Sequence, residues 1–485
     1  MNQLQKTTED AIGIFQAGVY AVQADRLVRE RLIFEGNQLQ IDDLGEMHRW
    51  KLHPSGRIIV VGAGKATFGM LKGLSASLRG LDSQLSVIGH VNVPEGTTTL
   101  SESDLAYDSR ANRINVLAAR PAGVNEPTEL AVRGTKKIID LCESARPNDT
   151  VIFLLSGGAS ALLTSPIEGT TLAEKVQTTR LLSQHGAAIE ELNAVRRGLS
   201  TVKAGGLANR CRAGRLITLV ISDVLGDSLA TIGSGPTWIN NPPNISEILD
   251  ILLKYDKNQN QFPRAVYQTL TRLASDDSSS RSQSWLTKRF TKKERDNECE
   301  LVHIMLANNA TAVDAAGVEA VRRGYAYWME SARQSEGAAE DVGRRLARQC
   351  IGLKNQPNIS CIISGGEPTV TLPDENHRGR GGRNQQLTLA ALTELQKLGA
   401  SSSDWARMTL LSGGTDGEDG PTDAAGAWCD AKTVASYQSQ QLSPQDHLNR
   451  CDAYPFFKNT DSLLITGPTH TNVCDLRVAI YDKTH

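Results

Sequence analysis

Short apolar runs that close on a glycine turn and then pass into a helical pattern recur along this chain, and that repeat restricts its fold more than any other feature. Arg57-Ile58-Ile59-Val60-Val61 runs into Gly62-Ala63-Gly64-Lys65-Ala66, Thr150 to Leu155 into Ser156-Gly157-Gly158-Ala159-Ser160, and Leu216 to Ile221 into Ser222-Asp223-Val224-Leu225-Gly226-Asp227. A second series follows. Leu301 to Leu306 precedes Ala307-Asn308-Asn309, Ile359 to Ile363 precedes Ser364-Gly365-Gly366-Glu367, and Met408 to Leu411 precedes Ser412-Gly413-Gly414-Thr415-Asp416. Apolar runs without alternation are the mark of strands buried on both faces, and strands alternating with helices imply a parallel sheet between helical layers. The expected class is α/β. A chain of 485 residues exceeds a single core of about 250–300 residues, so two domains are expected. Each should hold a largely parallel sheet flanked by helices, with the active site in the cleft between them. The stretch 275–300, dense in Ser, Asp, Lys and Arg, reads as a surface insertion. The division falls after it, giving domains 1–300 and 301–485, although the strand and helix at 301–350 could return to the first domain.

Charge and cysteine content exclude several classes. Lys and Arg (52) balance Asp and Glu (54), without the basic excess of a nucleic-acid surface. The basic run Lys288 to Arg295 sits in the insertion and reads as solvated. No segment approaches the ~20 apolar residues that cross a bilayer. Eight cysteines show neither CxxC pairs nor Cys/His spacing for zinc. The early acidic pair Glu9-Asp10 counts against a mitochondrial presequence. The expected location is cytoplasmic.

The turns carry the chemistry. Beyond the carboxyl ends of strands in an open α/β sheet is where ligands bind, and clustered glycines allow a phosphate to approach backbone amides. Gly62-Ala63-Gly64-Lys65 lacks the third glycine of a dinucleotide fingerprint, since Thr67 stands there, and matches a Walker loop only at Gly64-Lys65. A lysine at a helix start nevertheless adds a full charge for a phosphate oxygen. Ser-Gly-Gly occurs at 156–158, 364–366 and 412–414, either as a shared anion-binding surface or as partial internal duplication. Arg378-Gly379-Arg380-Gly381-Gly382-Arg383 places guanidinium forks among glycines directly before a helical pattern, with Arg383 closest to its start. Asp223, Asp227, Asp416 and Asp419 lie in such turns, as magnesium ligands, as proton acceptors or as ordinary turn formers. Ser160 lacks a GxSxG elbow, and no histidine is spaced to serve it, which disfavours a serine hydrolase.

Taken together the turns resemble those of the glycerate 2-kinases of the MOFRL-type family. The ordered set is VVGAGKA at 60–66, LLSGGASALL at 154–163, LNAVRRGLSTVKAGGLA at 192–208, ISDVLGD at 221–227, GSGPT at 233–237, ISGGEPTVTL at 363–372, GRGGRNQ at 379–385, LSGGTDGEDGPTDAAGA at 411–427 and TGPTHTNVCDL at 466–476. The resemblance implies transfer of a phosphate from ATP to D-glycerate, giving 2-phosphoglycerate, with a divalent metal taken as Mg2+. It implies Lys65 and Arg383 as cations on the transferring phosphoryl group and Asp223 and Asp416 as their acidic partners; mechanistically, Asp223 is the acid expected close to the acceptor hydroxyl. Asp223 and Asp416 become the metal ligands. Ser156, Gly157, Gly158, Ser160, Arg196 and Lys203 become the substrate wall. Gly62, Gly64, Ser364, Gly365, Gly366, Gly382, Gly413, Gly414 and Thr415 become the nucleotide contacts. Departures are Gln386 where similar proteins carry glutamate, His470 where glycine is usual, and the stretch Ala118 to Glu126. The expected partners are these small molecules, with no nucleic acid or membrane, and a homodimer stays open. Two other readings remain: a nicotinamide-dependent hydroxypyruvate reductase and a non-catalytic ligand sensor.

Overall fold

The computed structural model describes residues 5–97, 113–121, 126–240, 242–278, 299–374 and 376–483. Most of the expected insertion at 275–300, its basic run included, lies outside the described residues. The chain forms two compact units. The first comprises Ala24–Ile221 and Ser228–Leu306; the second comprises Met1–Gln23, Ser222–Asp227 and Ala307–His485.

In the first unit a small antiparallel sheet of β1 (Leu32–Glu35), β2 (Gln38–Asp43) and β3 (Glu46–Lys51) precedes the main sheet. The main strands are β4 (Arg57–Ala63), β5 (Ser86–Pro94), β6 (Ile114–Arg120), β7 (Thr150–Ser156), β8 (Arg215–Ile221) and β9 (Glu300–Ala307), in the order β6-β5-β4-β7-β8-β9. The pairs β4–β5, β4–β7, β5–β6 and β7–β8 are all parallel. Every residue of β7 is buried, as its unbroken apolar run predicts. Register sets Gly62 of β4 against Leu154 of β7, and Ser156 of β7 against Ile221 of β8, so the turns after these strands leave at one level. Beside the sheet, helices Leu172–Gln184, Ile189–Gly198 and Ile245–Tyr255 share an apolar cluster that includes Leu182, Val195, Ile248 and Leu252.

The second unit holds β10 (Tyr327–Ser331), β11 (Cys361–Gly366), β12 (Met408–Gly414), β13 (Gly426–Cys429), β14 (Leu463–Leu464) and β15 (Asp475–Tyr481), in the order β10-β11-β15-β12-β13-β14. Helices cover both faces. Helices Lys6–Ala21 and Asn309–Arg322 pack Ile14, Phe15, Val313 and Ala316 against Ile363, Leu411 and Val478. Helices Ala339–Gly352 and Arg383–Lys397 pack Leu346 and Leu392 against Ile362, Leu410 and Ala479. Neighbouring residues on one strand thus serve opposite layers, as the pleat requires.

The α/β class is as expected, but the second sheet is mixed, not largely parallel. Only β10–β11 is parallel; β11–β15, β12–β15, β12–β13 and β13–β14 are antiparallel. The cause is local. No helix separates β12 from β13, and a parallel pair needs a longer crossover. The unit boundaries also differ from a cut at residue 300 in three segments. β9 joins the first sheet, whereas the helix after it joins the second unit. The turn Ser222–Asp227 and helix Lys6–Ala21 also belong to the second unit. Asp10 at that helix's start pairs with Arg323 at 2.8 Å and accepts the Tyr325 hydroxyl at 2.7 Å, and Thr8 bonds Asp430 at 2.7 Å.

Candidate functional site

Each unit gathers its own polar cluster. In the first, the turns after β4 and β7 are stitched together: the Lys65 amide donates to Gly157 O at 2.8 Å, and the Ala66 amide to Ser156 Oγ at 3.0 Å. Gly64 takes φ +144° with Ser156 against it, where a Cβ would come within 2.2 Å of Ser156 Oγ. These amides are therefore occupied by protein, and what the turn presents is the Lys65 side chain. Gly158, at φ +76°, has Lys65 Cγ and an Arg120 guanidinium nitrogen at 3.2 and 3.3 Å from the place of its missing Cβ. The aliphatic stem of Lys65 and the guanidinium of Arg120 thus flank Gly158. Arg120 ends β6 and is 1% exposed.

A second group of cations lies in the same unit. Lys203 is 2% exposed, and its Nζ bonds the carbonyl of Ser160 at 3.1 Å, the hydroxyl of Ser160, and Ser234 Oγ at 3.1 Å. Burial, then the positive charges of Lys175 and Arg196, hold the Lys203 pKa well below that of an ordinary lysine. Burial likewise lowers Arg196 and Arg197. A bound anion would relieve this repulsion. Lys175 and Arg120 were missed by motif reading. The signal for Lys175 was its place on the buried stripe Leu172, Lys175, Thr178, Leu182 of its helix; for Arg120 it was the carboxyl end of a parallel strand.

In the second unit the acids dominate. Arg383 opens helix Arg383–Lys397 and forks onto Asp475 (Nε–Oδ2 2.8 Å, Nη2–Oδ1 3.0 Å), while Nη1 meets Glu367 at 2.7 Å. Burial alone would lower the Arg383 pKa, but Asp475 and then Glu367 outweigh it and raise it. The helix N-terminus is also occupied, because the Asp419 carboxylate accepts the amides of Asn384 at 3.0 Å and Gln385 at 2.8 Å. Gly382 admits that carboxylate; a Cβ there would lie 2.2 Å from Asp419 Cγ. Burial pushes the Asp419 pKa up to about 7 against the pull of those two amides.

Asp223 stands close by. It accepts Asn472 Nδ2 at 3.2 Å, and its carbonyl takes the Cys474 thiol at 3.0 Å. The Cys474 pKa is raised first by burial and then by Glu367, Asp223 and Asp475. Three carboxylates thus act on one thiol, with Arg383 as the opposing charge. Asp416 instead accepts the Glu418 amide at 3.1 Å in a tight turn. Among the described residues no group of three or more His, Cys, Asp or Glu side chains is gathered to hold a metal.

The remaining expected contacts have packing reasons. Ser364, Gly365 and Gly366 lie within β11, where added Cβ atoms would meet Asn309 Oδ1 at 1.9 Å and Glu336 Oε2 at 1.9 Å. Gly413 faces Phe15, and Gly414 faces the Glu418 carbonyl. The Thr415 hydroxyl is tied to Cys474 O at 2.6 Å and to the Val473 amide at 2.9 Å. A separate groove of about 470 Å³ along helix Leu172–Gln184, lined by Leu172, Val176 and Arg180, contains none of the expected residues.

Comparison with known proteins decides the family. Residues 10–271 match a domain of unknown function, DUF4147, and residues 360–475 match the MOFRL family. A D-glycerate 2-kinase of Thermotoga maritima is 32% identical, over 97% of this chain and 97% of its own. The chain belongs to the glycerate kinase family. A crystal structure of glycerate kinase from Thermotoga maritima superposes with a TM-score of 0.74 at 30% identity, covering 98% of this chain and 99% of that one. A family relative in Agrobacterium vitis, 34% identical over 88% of this chain and 99% of its own, is named a putative hydroxypyruvate reductase.

Proposed function

We propose that this chain transfers a phosphate from ATP to the 2-hydroxyl of D-glycerate, giving 2-phosphoglycerate and ADP. The observation that carries the reading is the flanking of Gly158 by Lys65 and Arg120, supported by membership of the glycerate kinase family. Phosphoryl transfer asks for alignment and for charge stabilisation on the moving group. Lys65 and Arg120 supply cations for phosphate oxygens. Arg196 and Lys175 supply the field that holds the glycerate carboxylate, and Lys203 positions Ser160 and Ser234 beside them. Arg383 is the further cation that the family resemblance assigns to the phosphoryl group; in this structure Asp475 and Glu367 hold its guanidinium. Asp223 accepts the proton of the acceptor hydroxyl.

Mg2+ belongs to the same proposal; with no three-ligand cluster among the described residues, phosphate oxygens and water would complete its shell. Asp223, Glu367 and Asp475 outnumber the single guanidinium around Cys474, and Mg2+ usually takes one or two carboxylates with phosphate oxygens and water. Asp223 and Glu367 would hold it, and it would neutralise charge on the terminal phosphates. A cytoplasmic location is part of the same proposal, supported by eight buried cysteine thiols.

The test is a coupled assay of ADP release with ATP and D-glycerate. Oxidation of NADH by hydroxypyruvate without ATP would overturn the kinase reading in favour of the reductase named for the Agrobacterium vitis relative. The β4 turn argues against that second reading: its Lys65 and Ala66 amides, where a dinucleotide pyrophosphate would sit, are already bonded to the β7 turn.

A further inference from the structure

In the first unit three residues from separate segments meet at one point. Lys203 follows helix Ile189–Gly198, Ser160 lies in the short turn of helix after β7, and Ser234 lies in the turn Ile232–Ser234. Lys203 Nζ bonds both hydroxyls, which are 3.2 Å apart. Ser160 is only partly buried, so a ligand can reach its oxygen.

The backbone is strained to hold this meeting. Ala204 (φ +49°) and Ser234 (φ +66°) both take left-handed conformations that cost a non-glycine residue about 1 kcal/mol or more. They are fastened to each other: the Ala204 amide donates to Ser234 O at 3.0 Å, and the Gly205 amide to Gly235 O at 2.7 Å. Ser234 N is held in turn by Thr231 O at 2.8 Å. Strain fixed from several sides marks geometry kept for chemistry.

We propose that Ser160 is a nucleophile served by Lys203, giving this protein a second activity, hydrolysis of small anionic carboxylic esters. Serine–lysine pairs perform such chemistry where no histidine is present. Burial and the neighbouring charges of Lys175 and Arg196 favour the unprotonated amine of Lys203, which the role of base requires. Ser160 Oγ attacks the ester carbonyl carbon, and its proton passes to Lys203 Nζ. Collapse of the tetrahedral intermediate breaks the bond to the alcohol oxygen, which takes that proton back from Nζ through the Ser234 hydroxyl. Water then attacks the acyl-serine with Nζ again as base, the bond from the acyl carbon to Ser160 Oγ breaks, Nζ returns the proton to Oγ, and the carboxylic acid leaves. The sum is ester plus water giving acid plus alcohol. Lys175 and Arg196 beside the site select esters carrying a carboxylate.

The experiment uses the full chain with 4-nitrophenyl acetate and with the 4-nitrophenyl half-ester of succinic acid, following nitrophenolate release and the mass of the Ser160 peptide. The expected result is an initial burst, an acyl group on Ser160, and faster reaction of the charged half-ester. Ser160→Ala and Lys203→Arg should each lower the rate by about 100-fold or more. Lys203→Arg keeps a cation and hydrogen-bond donors yet cannot accept a proton, so its melting temperature separates loss of base from loss of fold. Acylation elsewhere, a wild-type rate in Ser160→Ala, or full acylation by folded Lys203→Arg would each overturn the proposal. Because no ATP is added, failure here is distinct from failure of glycerate phosphorylation, which is assayed beside it.

Discussion

The same tripeptide, Ser-Gly-Gly, closes β7 in the first unit and β11 and β12 in the second, yet the surroundings have opposite electrical character. After β7 the stem of Lys65 and the guanidinium of Arg120 flank Gly158, with Lys203, Lys175 and Arg196 in the same unit. After β11 and β12 the glycines admit Asn309, Glu336 and Phe15, and the charged cluster of that unit is rich in carboxylates. A glycine pair announces that something approaches the backbone closely; it does not say what. That distinction decides which turns to test as anion sites and which as packing.

The largest effect expected from breaking the contrast is at Lys65. Lys65→Ala should lower turnover with ATP and D-glycerate by about 100-fold or more with an unchanged melting temperature; a wild-type rate would remove Lys65 from the phosphate-binding role. Arg383→Met should lose activity too, but with a stability cost of about 3–5 kcal/mol by urea unfolding, because fully buried Asp475 loses its partner. Equal stability of that variant and wild type would show that the pair is not structural. Gly365→Ala should destabilise by about 1–3 kcal/mol through the Asn309 clash, whereas its effect on KM for ATP should be small if packing is its whole role. A large KM change would restore it as a nucleotide contact.

The smallest effect is a pH dependence. Asp419 has a folded pKa of about 7, above the ~3.9 of an unfolded aspartate. The folded state therefore binds the extra proton between those values, so this contribution is complete below about pH 4 and is lost as pH rises through 7. Asp419→Asn keeps one acceptor for the two helix amides and, having no titrating carboxyl, should flatten the stability profile between pH 4 and 7. An unchanged profile would assign the slope to other groups.

Much of the first unit was legible because its strands are buried on both faces and follow one another in parallel order. β4, β7 and β8 stand out as apolar runs with a turn at each carboxyl end. The second unit hid its topology. The direction of β15 depends on where a strand from residues 475–481 inserts, and no local pattern encodes that. Helix Lys6–Ala21 looks in sequence like the start of the first domain, yet its apolar stripe fits a surface built from residues hundreds of positions away. Site reading fared similarly. Lys65, Lys203 and Arg383 were visible as charges in glycine-rich strings, but the partners that define them, Asp475 and Glu367 on Arg383 and Ser234 on Lys203, come from distant segments.

The docking of helix Lys6–Ala21 against β15 has a consequence for synthesis on the ribosome. Roughly 450 residues separate the two, so at about 5–20 residues per second the helix waits on the order of half a minute or more before the strand it packs against exists. Until residues 309–322 emerge, the buried face of Ile14, Phe15 and Val19 has no native surface to cover it, and that surface is complete only with β15. The first unit, compact by itself, can meanwhile mature while helix Lys6–Ala21 waits for its partners.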